Sequence, residues 1–416
     1  MMNKKLHTPH GVKDYLPAEY YLKSESQRAI EAVFMRYGYS RLSAPTYEYA
    51  EVFDGCGAAS AYKFVGSGGA VLVLRPDMTP SIARIAATAY KDEEIPLRFC
   101  YFEKAFRHNH SYQGKLNEFT QAGVELIGVG GHDADAEVVA AAVHSLLACE
   151  VRNFFVYIGH AGFLDGVLDE AGLDDGEKIR MKAALEAKDY VSVGQIADKA
   201  GVPDGIMAIF KEYPFLIGGV EMLEQSRGLV SSKVALEALA ELESVRRILS
   251  CYGVEEHVAF DLSLNSSLDY YTGIIFRGYA DGASAPVIDG GRYDGLTEKF
   301  GVSYPAVGFA IEMDMLLTAL NHQKKIVPQP STATLLAYAE DGAEMALKTA
   351  SAMRRQGVVI ENSLLCGGLD ENVAYAKKRG FGGVLYFENS VNALVIDVET
   401  GETKEVKIAE LTGGVL

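Results

Sequence analysis

A carboxylate and an amide are spaced for ligand binding in the run EFTQAGVELIG, residues 118–128. The apolar alternation and β-favouring side chains of this run predict a strand. Successive side chains of a strand point to opposite faces, so Gln121, Gly123 and Glu125 share one face. The Cα atoms of Gln121 and Glu125 would lie ~13 Å apart, a span across which both side chains can hold the two ends of a small molecule with donors and acceptors. An ordinary hairpin with a solvated polar face gives the same pattern.

This strand is the second arm of a predicted hairpin that spans residues 97–128. The first arm is the aromatic run LRFCYFEKAF, and the intervening segment 109–117 is polar, with Gly114 at its tip. Aromatic residues favour strands, and a polar stretch with glycine favours the turn between them. The hairpin is therefore the element that would present the polar face to a cavity.

Composition limits the functional classes. With 416 residues, 49% hydrophobic and 23% charged, the chain has the make-up of a soluble protein of two or three domains. Its net charge of -17 argues against an extended RNA-binding groove. Five scattered cysteines without C-x-x-C spacing predict neither disulfides nor a zinc site, so we expect no metal or cofactor and a cytoplasmic location. The N-terminus lacks a signal-peptide core, and the apolar run 136–149 is too short for a bilayer, so no membrane role is expected.

The remaining segments indicate an α+β chain with a helical insertion. An amphipathic helix is predicted over 17–37, and Asp133 or Asp135 is placed to cap a helix that ends near Leu147. Residues 162–252 have charged, helical periodicity without β alternation. We predict a core domain over 1–323, a proline-bearing linker over 324–331, and a C-terminal α/β domain over 332–416.

Several motifs resemble class II aminoacyl-tRNA synthetases, above all histidyl-tRNA synthetase. The run FRHNHSYQGKLNEFTQAGVE is similar to the second class II motif, and the extended segment around Pro45 resembles the first, which builds the homodimer contact. LRPDMTPSIAR resembles the histidyl stretch LRPExT, which implies that Asp77 and Thr79 bind the amino group of histidine. Alternatively, Asp77 is the N-cap of the helix through Ile85.

Two further runs carry the resemblance. LDYYTG is similar to the second histidine-specific motif, which implies that Tyr270 and Tyr271 line an amino-acid pocket, although half-buried strand tyrosines are the alternative. GGRYDGL matches the third class II motif residue for residue and implies that Tyr293 lines the same pocket. The implied fold is a class II antiparallel sheet core with a helical insertion, followed by a small α/β domain that resembles an anticodon-binding domain.

The chain departs from these motifs at the positions that handle ATP. Asn109 replaces a glutamate, Ser266 replaces the catalytic arginine, and Met315 replaces the arginine that contacts ATP. Loss of one preorganised donor typically costs about 10² to 10³ in rate, so several losses predict a site that does not activate its amino acid. Arg107 is retained and is expected to meet the ligand carboxylate, or else to form a salt bridge within the hairpin.

The chain keeps nearly all of the residues that would bind an amino acid and lacks those that would activate it. In this it resembles the regulatory subunits of ATP phosphoribosyltransferase. That resemblance implies a non-catalytic subunit, required for the first step of histidine biosynthesis, that forms a hetero-oligomer with the short-form catalytic subunit. It also implies a class II-type homodimer and L-histidine as feedback ligand. Glu125 is then expected to pair with the imidazole, Gln121 and Asp77 with the ammonium group, and Thr79 to assist. From Thr332 onward the chain has 8 basic and 12 acidic residues, a balance of -4, so no tRNA partner is expected. A divergent histidyl-tRNA synthetase and a stand-alone histidine-sensing module are the alternatives.

Overall fold

The computed structural model describes residues 4–109, 115–264, 271–325, 333–365 and 367–411. The chain folds into two compact units, 1–325 and 326–416. Tyr270 and Ser266, together with most of the expected linker, lie outside the described residues. Along the described part of the chain, no helix is both long and apolar enough to cross a bilayer.

The first unit combines a large sheet with helices on both sides. Its strands are β1 (Ser40–Arg41), β2 (Tyr47–Tyr49), β3 (Lys63–Val65), β4 (Val71–Leu74), β5 (Leu97–Phe106), β6 (Glu118–Ile127), β7 (Phe154–His160), β8 (Ile217–Gly218), β9 (Val258–Asp261), β10 (Ile274–Ala280), β11 (Ile288–Arg292) and β12 (Ala306–Glu312). Its helices are α1 (Pro17–Arg36), α2 (Thr79–Thr88), α3 (His132–Ala148), α4 (Ala161–Glu170), α5 (Asp175–Glu186), α6 (Tyr190–Ala200), α7 (Asp204–Glu212), α8 (Val220–Arg227), α9 (Lys233–Tyr252) and α10 (Met313–His322).

The predicted hairpin is the long pair β5–β6, which forms part of the main sheet. In the described residues this sheet has nine strands in the order β1-β5-β6-β12-β11-β10-β7-β9-β8. The strands from β5 to β7 pair antiparallel, as expected, while β1 and β9 add parallel pairs at the flanks. A separate small sheet has the order β2-β4-β3.

The two faces of the main sheet have different partners. On one face, Phe34 of α1 packs against the rings of Phe102 and Phe309, and α3 and α10 cover the neighbouring strands. On the other face, Tyr101 belongs to a buried cluster with Met78 and with α2. Because side chains alternate along each strand, Gln121, Gly123 and Glu125 lie on this second face with Tyr101.

The helical insertion is formed by α4 to α9, and it is not purely helical. The two-residue strand β8 pairs with β9 and thereby extends the main sheet. No β signal is visible in the sequence at this strand, because two residues are too few to show an alternation.

The second unit alternates strands and helices, as predicted. Its elements are β13 (Thr334–Tyr338), α11 (Ala343–Arg355), β14 (Ile360–Asn362), α12 (Leu369–Arg379), β15 (Gly383–Phe387), β16 (Asn392–Asp397), β17 (Thr403–Lys407) and α13 (Ile408–Leu411). In its described residues the sheet order is β14-β13-β15-β16-β17, with β13 parallel to both neighbours and the last strands antiparallel.

Gly123 allows the main sheet and the Tyr101 ring to meet closely. A Cβ atom at this position would lie 2.3 Å from the Phe309 carbonyl oxygen and 2.5 Å from the Tyr101 hydroxyl oxygen. We therefore expect Gly123→Ala to lower the free energy of unfolding by about 1–3 kcal/mol, measured by urea denaturation. Gly205→Ala in α7 is the control, because its Cβ meets open space and alanine favours a helix. Equal stability of Gly123→Ala and the unmodified chain would contradict this packing argument.

Candidate functional site

The register of three neighbouring strands builds the floor of a cavity. Glu125 on β6 lies opposite Gly308 on β12, which lies opposite Gly291 on β11. In the next row, Gly123 on β6 lies opposite Ala310 on β12, which lies opposite Asp289 on β11. In the third row, Gln121 on β6 lies opposite Glu312 on β12. Small residues therefore occupy the centre of the floor, and polar side chains stand at its edges.

Above this floor lies a cavity of about 90 Å³. Its walls combine aromatic, acidic and basic side chains from the sheet, the loop before α2 and the hairpin. The lining residues are Asp77, Thr79, Arg107, Lys115, Phe119, Gln121, Tyr271, Pro286, Val287, Asp289, Tyr293, Gly308, Phe309, Ala310 and Glu312.

Glu125 is the buried acid at one end of this floor, with 1% of its surface exposed. The Thr79 hydroxyl donates to its Oε1 at 2.8 Å and the Tyr101 hydroxyl at 3.5 Å. The Tyr293 hydroxyl donates to Oε2. Donors from three separate segments thus converge on one carboxylate, which fixes its position without a cationic partner.

Burial controls the ionisation of Glu125. Loss of hydration disfavours the charged form and raises the pKa of Glu125 to about 8, and the nearby Asp77 carboxylate acts in the same direction. Hydrogen bonds from Tyr293, Thr79 and Tyr101 oppose this rise. A ligand N–H that meets Glu125 would favour the charged form and would gain a strong, charge-assisted hydrogen bond.

Glycines make room for this cluster. A Cβ at Gly308 would lie 1.9 Å from Oε2 of Glu125, and a Cβ at Gly291 would lie 2.7 Å from the Tyr271 ring. The side chains can therefore lie flat across the sheet only where the floor has no side chain of its own.

The loop before α2 supplies Asp77, and the first residue of α2 is Thr79; both are buried. The helix begins at Thr79 with Met78 at the N-cap position and without a capping hydrogen bond from a side chain. The Asp77 carboxylate instead accepts from the Met78 backbone N–H at 2.8 Å. The alternative in which Asp77 caps α2 is therefore wrong, because the loop turns the carboxylate toward the cavity lining.

Gln121 lies near the other end of the floor, almost fully buried. Its side-chain Oε1 is buried and has no hydrogen-bond partner within the described ranges. An unpaired buried amide oxygen is costly, so it marks a position where a ligand donor would be favoured.

Arg107 connects the hairpin to the loop before α2. Its Nε donates to the Pro76 carbonyl at 2.6 Å, and its Nη2 lies 3.8 Å from Oδ2 of Asp77. Its guanidinium lies over the Phe119 ring. The salt bridge therefore joins the hairpin to another segment rather than lying within the hairpin, and the Arg107 side chain also lines the cavity.

Two of the three expected tyrosines are described, and both line the cavity. Tyr293 is 2% exposed and contacts Glu125, and Tyr271 packs beside the same buried cluster. Burial raises the pKa of both hydroxyls well above their ordinary range, so both remain neutral donors. Tyr270 falls outside the described ranges.

Two of the positions that depart from the synthetase motifs, Asn109 and Met315, lie in described parts of the structure and contribute to packing or to the hairpin end. Asn109 folds the hairpin end, since its amide nitrogen donates to the Leu116 carbonyl at 2.6 Å and its backbone N–H donates to Asn117 at 3.0 Å. Met315 lies in α10 with 3% exposure, as part of the apolar packing. Neither side chain is among those that line the cavity.

Sequence reasoning missed Lys115, Asp289 and Glu312, all of which line the cavity. Burial raises the pKa of Asp289, and it raises that of Glu312 to about 7. The signal was present: Asp289 and Gly291 alternate on β11, as Gly308, Ala310 and Glu312 do on β12. Only the strand register shows that these alternations lie on the same face of the sheet as Glu125, which is not itself among the residues that line the cavity. Within the described ranges, no group of three His, Cys, Asp or Glu side chains is arranged to hold a metal ion.

The Glu125 environment predicts a pH-dependent stability. Its pKa is about 8 in the folded chain against 4.5 ordinarily, so between these values the folded chain holds a proton that the unfolded chain releases. The free energy of unfolding must then fall as pH rises through this window, by at most about 1.4 kcal/mol per pH unit for this one proton. We expect Glu125→Gln to flatten that slope in denaturation series from pH 5 to pH 8.

Thr79, Tyr101, Tyr293, Tyr271 and Asp77 surround this group and are unchanged in that comparison. Glu224→Gln, at an exposed position of α8, is the matched control and should keep the original slope. Identical slopes for Glu125→Gln and the unmodified chain would contradict the raised pKa.

Comparisons with known proteins show the family and the fold of this chain. A family model described as histidyl-tRNA synthetase matches residues 11–316. An ATP phosphoribosyltransferase regulatory subunit from Acetivibrio thermocellus is 36% identical over 415 residues, covering 99% of both chains. A solved structure from Bacillus halodurans, titled as an ATP phosphoribosyltransferase regulatory subunit/histidyl-tRNA synthetase, has a TM-score of 0.84 and 31% identity over 94% of this chain and 100% of that chain.

A histidyl-tRNA synthetase from Nostoc sp. PCC 7120 has a TM-score of 0.81 over 98% of both chains, and its 21% identity shows the fold alone. The predicted fold class is therefore confirmed. The chain belongs to the family of ATP phosphoribosyltransferase regulatory subunits, and its fold is that of the class II aminoacyl-tRNA synthetases.

Proposed function

We propose that this chain is a non-catalytic regulatory subunit that is required for the activity of a short-form ATP phosphoribosyltransferase catalytic subunit, and that binds L-histidine in the cavity so that histidine inhibits the complex. The observation that carries this proposal is that a buried acid lies at one end of a glycine-lined floor and a buried amide without a hydrogen-bond partner for its oxygen lies at the other. Glu125 would accept from the imidazole ring, and the Gln121 amide oxygen would accept from the ammonium group.

The other lining residues complete a pocket for an amino acid. Tyr271 and Tyr293 supply aromatic walls with neutral hydroxyls, which suit a flat imidazole ring. Arg107 lines the cavity with its side chain one-third exposed and would take the ligand carboxylate. Asp77 adds a carboxylate for the ammonium end, and Thr79 orients Glu125.

A catalytic role as a synthetase has less support. Charge that develops on phosphates must be met by preorganised donors, and Met315 offers only an apolar side chain buried in α10. The balance of charge from Thr332 onward, 8 basic against 12 acidic residues, also disfavours tRNA as a partner of the second unit. We therefore propose a cytoplasmic hetero-oligomer whose activity resides in the other subunit.

Self-association as a class II-type homodimer is part of this proposal. The small sheet β2-β4-β3, next to the segment around Pro45, exposes Tyr47, Tyr49 and Val65. Exposed apolar side chains that cluster on one sheet favour burial against another protein surface.

Mixing experiments test the regulatory role. We expect the purified chain to raise the activity of a short-form catalytic subunit, and L-histidine to reverse that gain, because the ligand must favour the inhibited arrangement of the complex. The chain alone is expected to show no histidine-dependent exchange between ATP and pyrophosphate. Rapid exchange would instead support the divergent synthetase, and histidine binding without any effect on the catalytic subunit would support the stand-alone sensor.

Calorimetry tests the site itself. Glu125→Ala removes a charge-assisted hydrogen bond and should weaken histidine binding by at least about 10-fold. Gln121→Ala should act in the same direction and provides a second variant should Glu125→Ala fail to fold, as judged by circular dichroism. Glu224→Ala on the exposed face of α8 is the control and should bind as the unmodified chain does. Full histidine affinity in both cavity variants would refute the assignment of this site.

A further inference from the structure

Two carboxylates that the proposed histidine contacts do not use stand at one end of the cavity floor. Glu312 is paired directly with Gln121 across β12 and β6, and Asp289 is paired with Ala310 across β11 and β12. Asp289 and Glu312 are therefore diagonal neighbours on the same face, with Cα atoms about 7–8 Å apart. Glu125 lies two rows away from Glu312, at the opposite end of the floor.

These two acids are poorly compensated. Oδ1 of Asp289 is buried without a hydrogen-bond partner among the described residues, and its nearest ion-pair contact is Nε of Arg277 at 3.7 Å. The pKa of Glu312 is raised to about 7 by burial, which Lys115 and Arg107 only partly oppose. Both carboxylates thus line the cavity. Glu312 does so at a cost in hydration, whereas 47% of the Asp289 side-chain surface stays exposed.

The charge balance of the lining is acidic. Within the described residues, the carboxylates of Asp77, Asp289 and Glu312 line the cavity together with two cations, Arg107 and Lys115. Arg107 is already engaged with the Pro76 carbonyl and lies near Asp77. Little positive charge remains to neutralise an anion placed between Asp289 and Glu312.

Resting on the proposed function, we propose that Asp289 and Glu312 determine ligand class: they exclude a phosphate group, so the cavity accepts the free amino acid and refuses its adenylate. A phosphate bonded to the carboxyl end of the ligand would have to lie beyond the Gln121 end of the floor, where both carboxylates stand. Like charges a few ångströms apart repel, and they do so most strongly where burial reduces screening by water, as it does around Glu312.

This exclusion acts separately from the absence of cationic groups. Missing donors remove attraction for the transition state, whereas the two acids add repulsion against the bound nucleotide. A site that combines both devices discriminates more sharply than one that relies on weak attraction alone. Restoring an arginine at Met315 would therefore not be sufficient to recover adenylate binding.

The experiment compares two probes on the full chain. L-histidine carries no phosphate, and histidinol adenylate carries the same imidazole and ammonium groups with a stable phosphate ester. We expect the adenylate to bind the unmodified chain at least about 10-fold more weakly than histidine does. In the double variant Asp289→Asn/Glu312→Gln, which keeps the size of both side chains, the ratio of the two dissociation constants should fall by about 10-fold or more.

Each single variant should give part of that change, which provides the measurement if the double variant does not fold. Glu224→Gln on α8 is the matched control and should leave the ratio unchanged. Equal binding of both probes to the unmodified chain, or a ratio that charge removal does not alter, overturns this proposal and leaves histidine sensing intact.

Absence of histidine binding to the unmodified chain would instead refute the proposed function. In that case the inference is tested by the adenylate alone: its affinity is expected to be higher for the double variant than for the unmodified chain. An adenylate affinity that does not rise would overturn the inference as well.

Discussion

The site depends on one buried carboxylate that is held by hydroxyl groups rather than by a cation. Removing Glu125 from water is unfavourable, and the fold offsets this by directing hydroxyl groups from α2, β5 and the segment after β11 onto its two oxygens. Neutral donors keep the Glu125 side chain in place without neutralising it by an ion pair, so a ligand N–H would still favour its charged form. A cationic partner at the same position would have formed an ion pair with Glu125 within the protein. Glu125 would then gain little from a ligand donor.

The glycine floor follows from this constraint. Gly308 and Gly123 lie beside Glu125 and Tyr101, where any Cβ would overlap the acid or the ring. The glycines of β11 and β12 allow close packing of side chains across the sheet. The same absence of side chains also leaves room for a flat ligand above the backbone.

A buried ion pair holds the sheet to α3. The Arg292 guanidinium donates to Asp135 at 2.6 Å and to Asp294 at 3.0 Å. The prediction that Asp133 or Asp135 caps α3 is wrong, because Gly131 occupies the N-cap position without a side-chain capping bond and both aspartates lie in the first turn. For Asp135, a buried guanidinium from a distant strand outweighs a local capping bond, because an unpaired buried charge costs far more.

The sequence by itself determined most of the elements and many of the residues of the candidate site. Periodicity fixed the hairpin, the helix over 17–36 and the alternating second unit, and the motifs singled out Asp77, Thr79, Gln121, Glu125 and Tyr293. Local patterns suffice for these because they depend on neighbouring residues. Tertiary structure alone decided that Asp289 and Glu312 face the same cavity, that Tyr101 contacts Glu125, and that Asp77 does not cap α2. Those facts depend on strand register and on contacts between residues far apart in the chain, which no local pattern records.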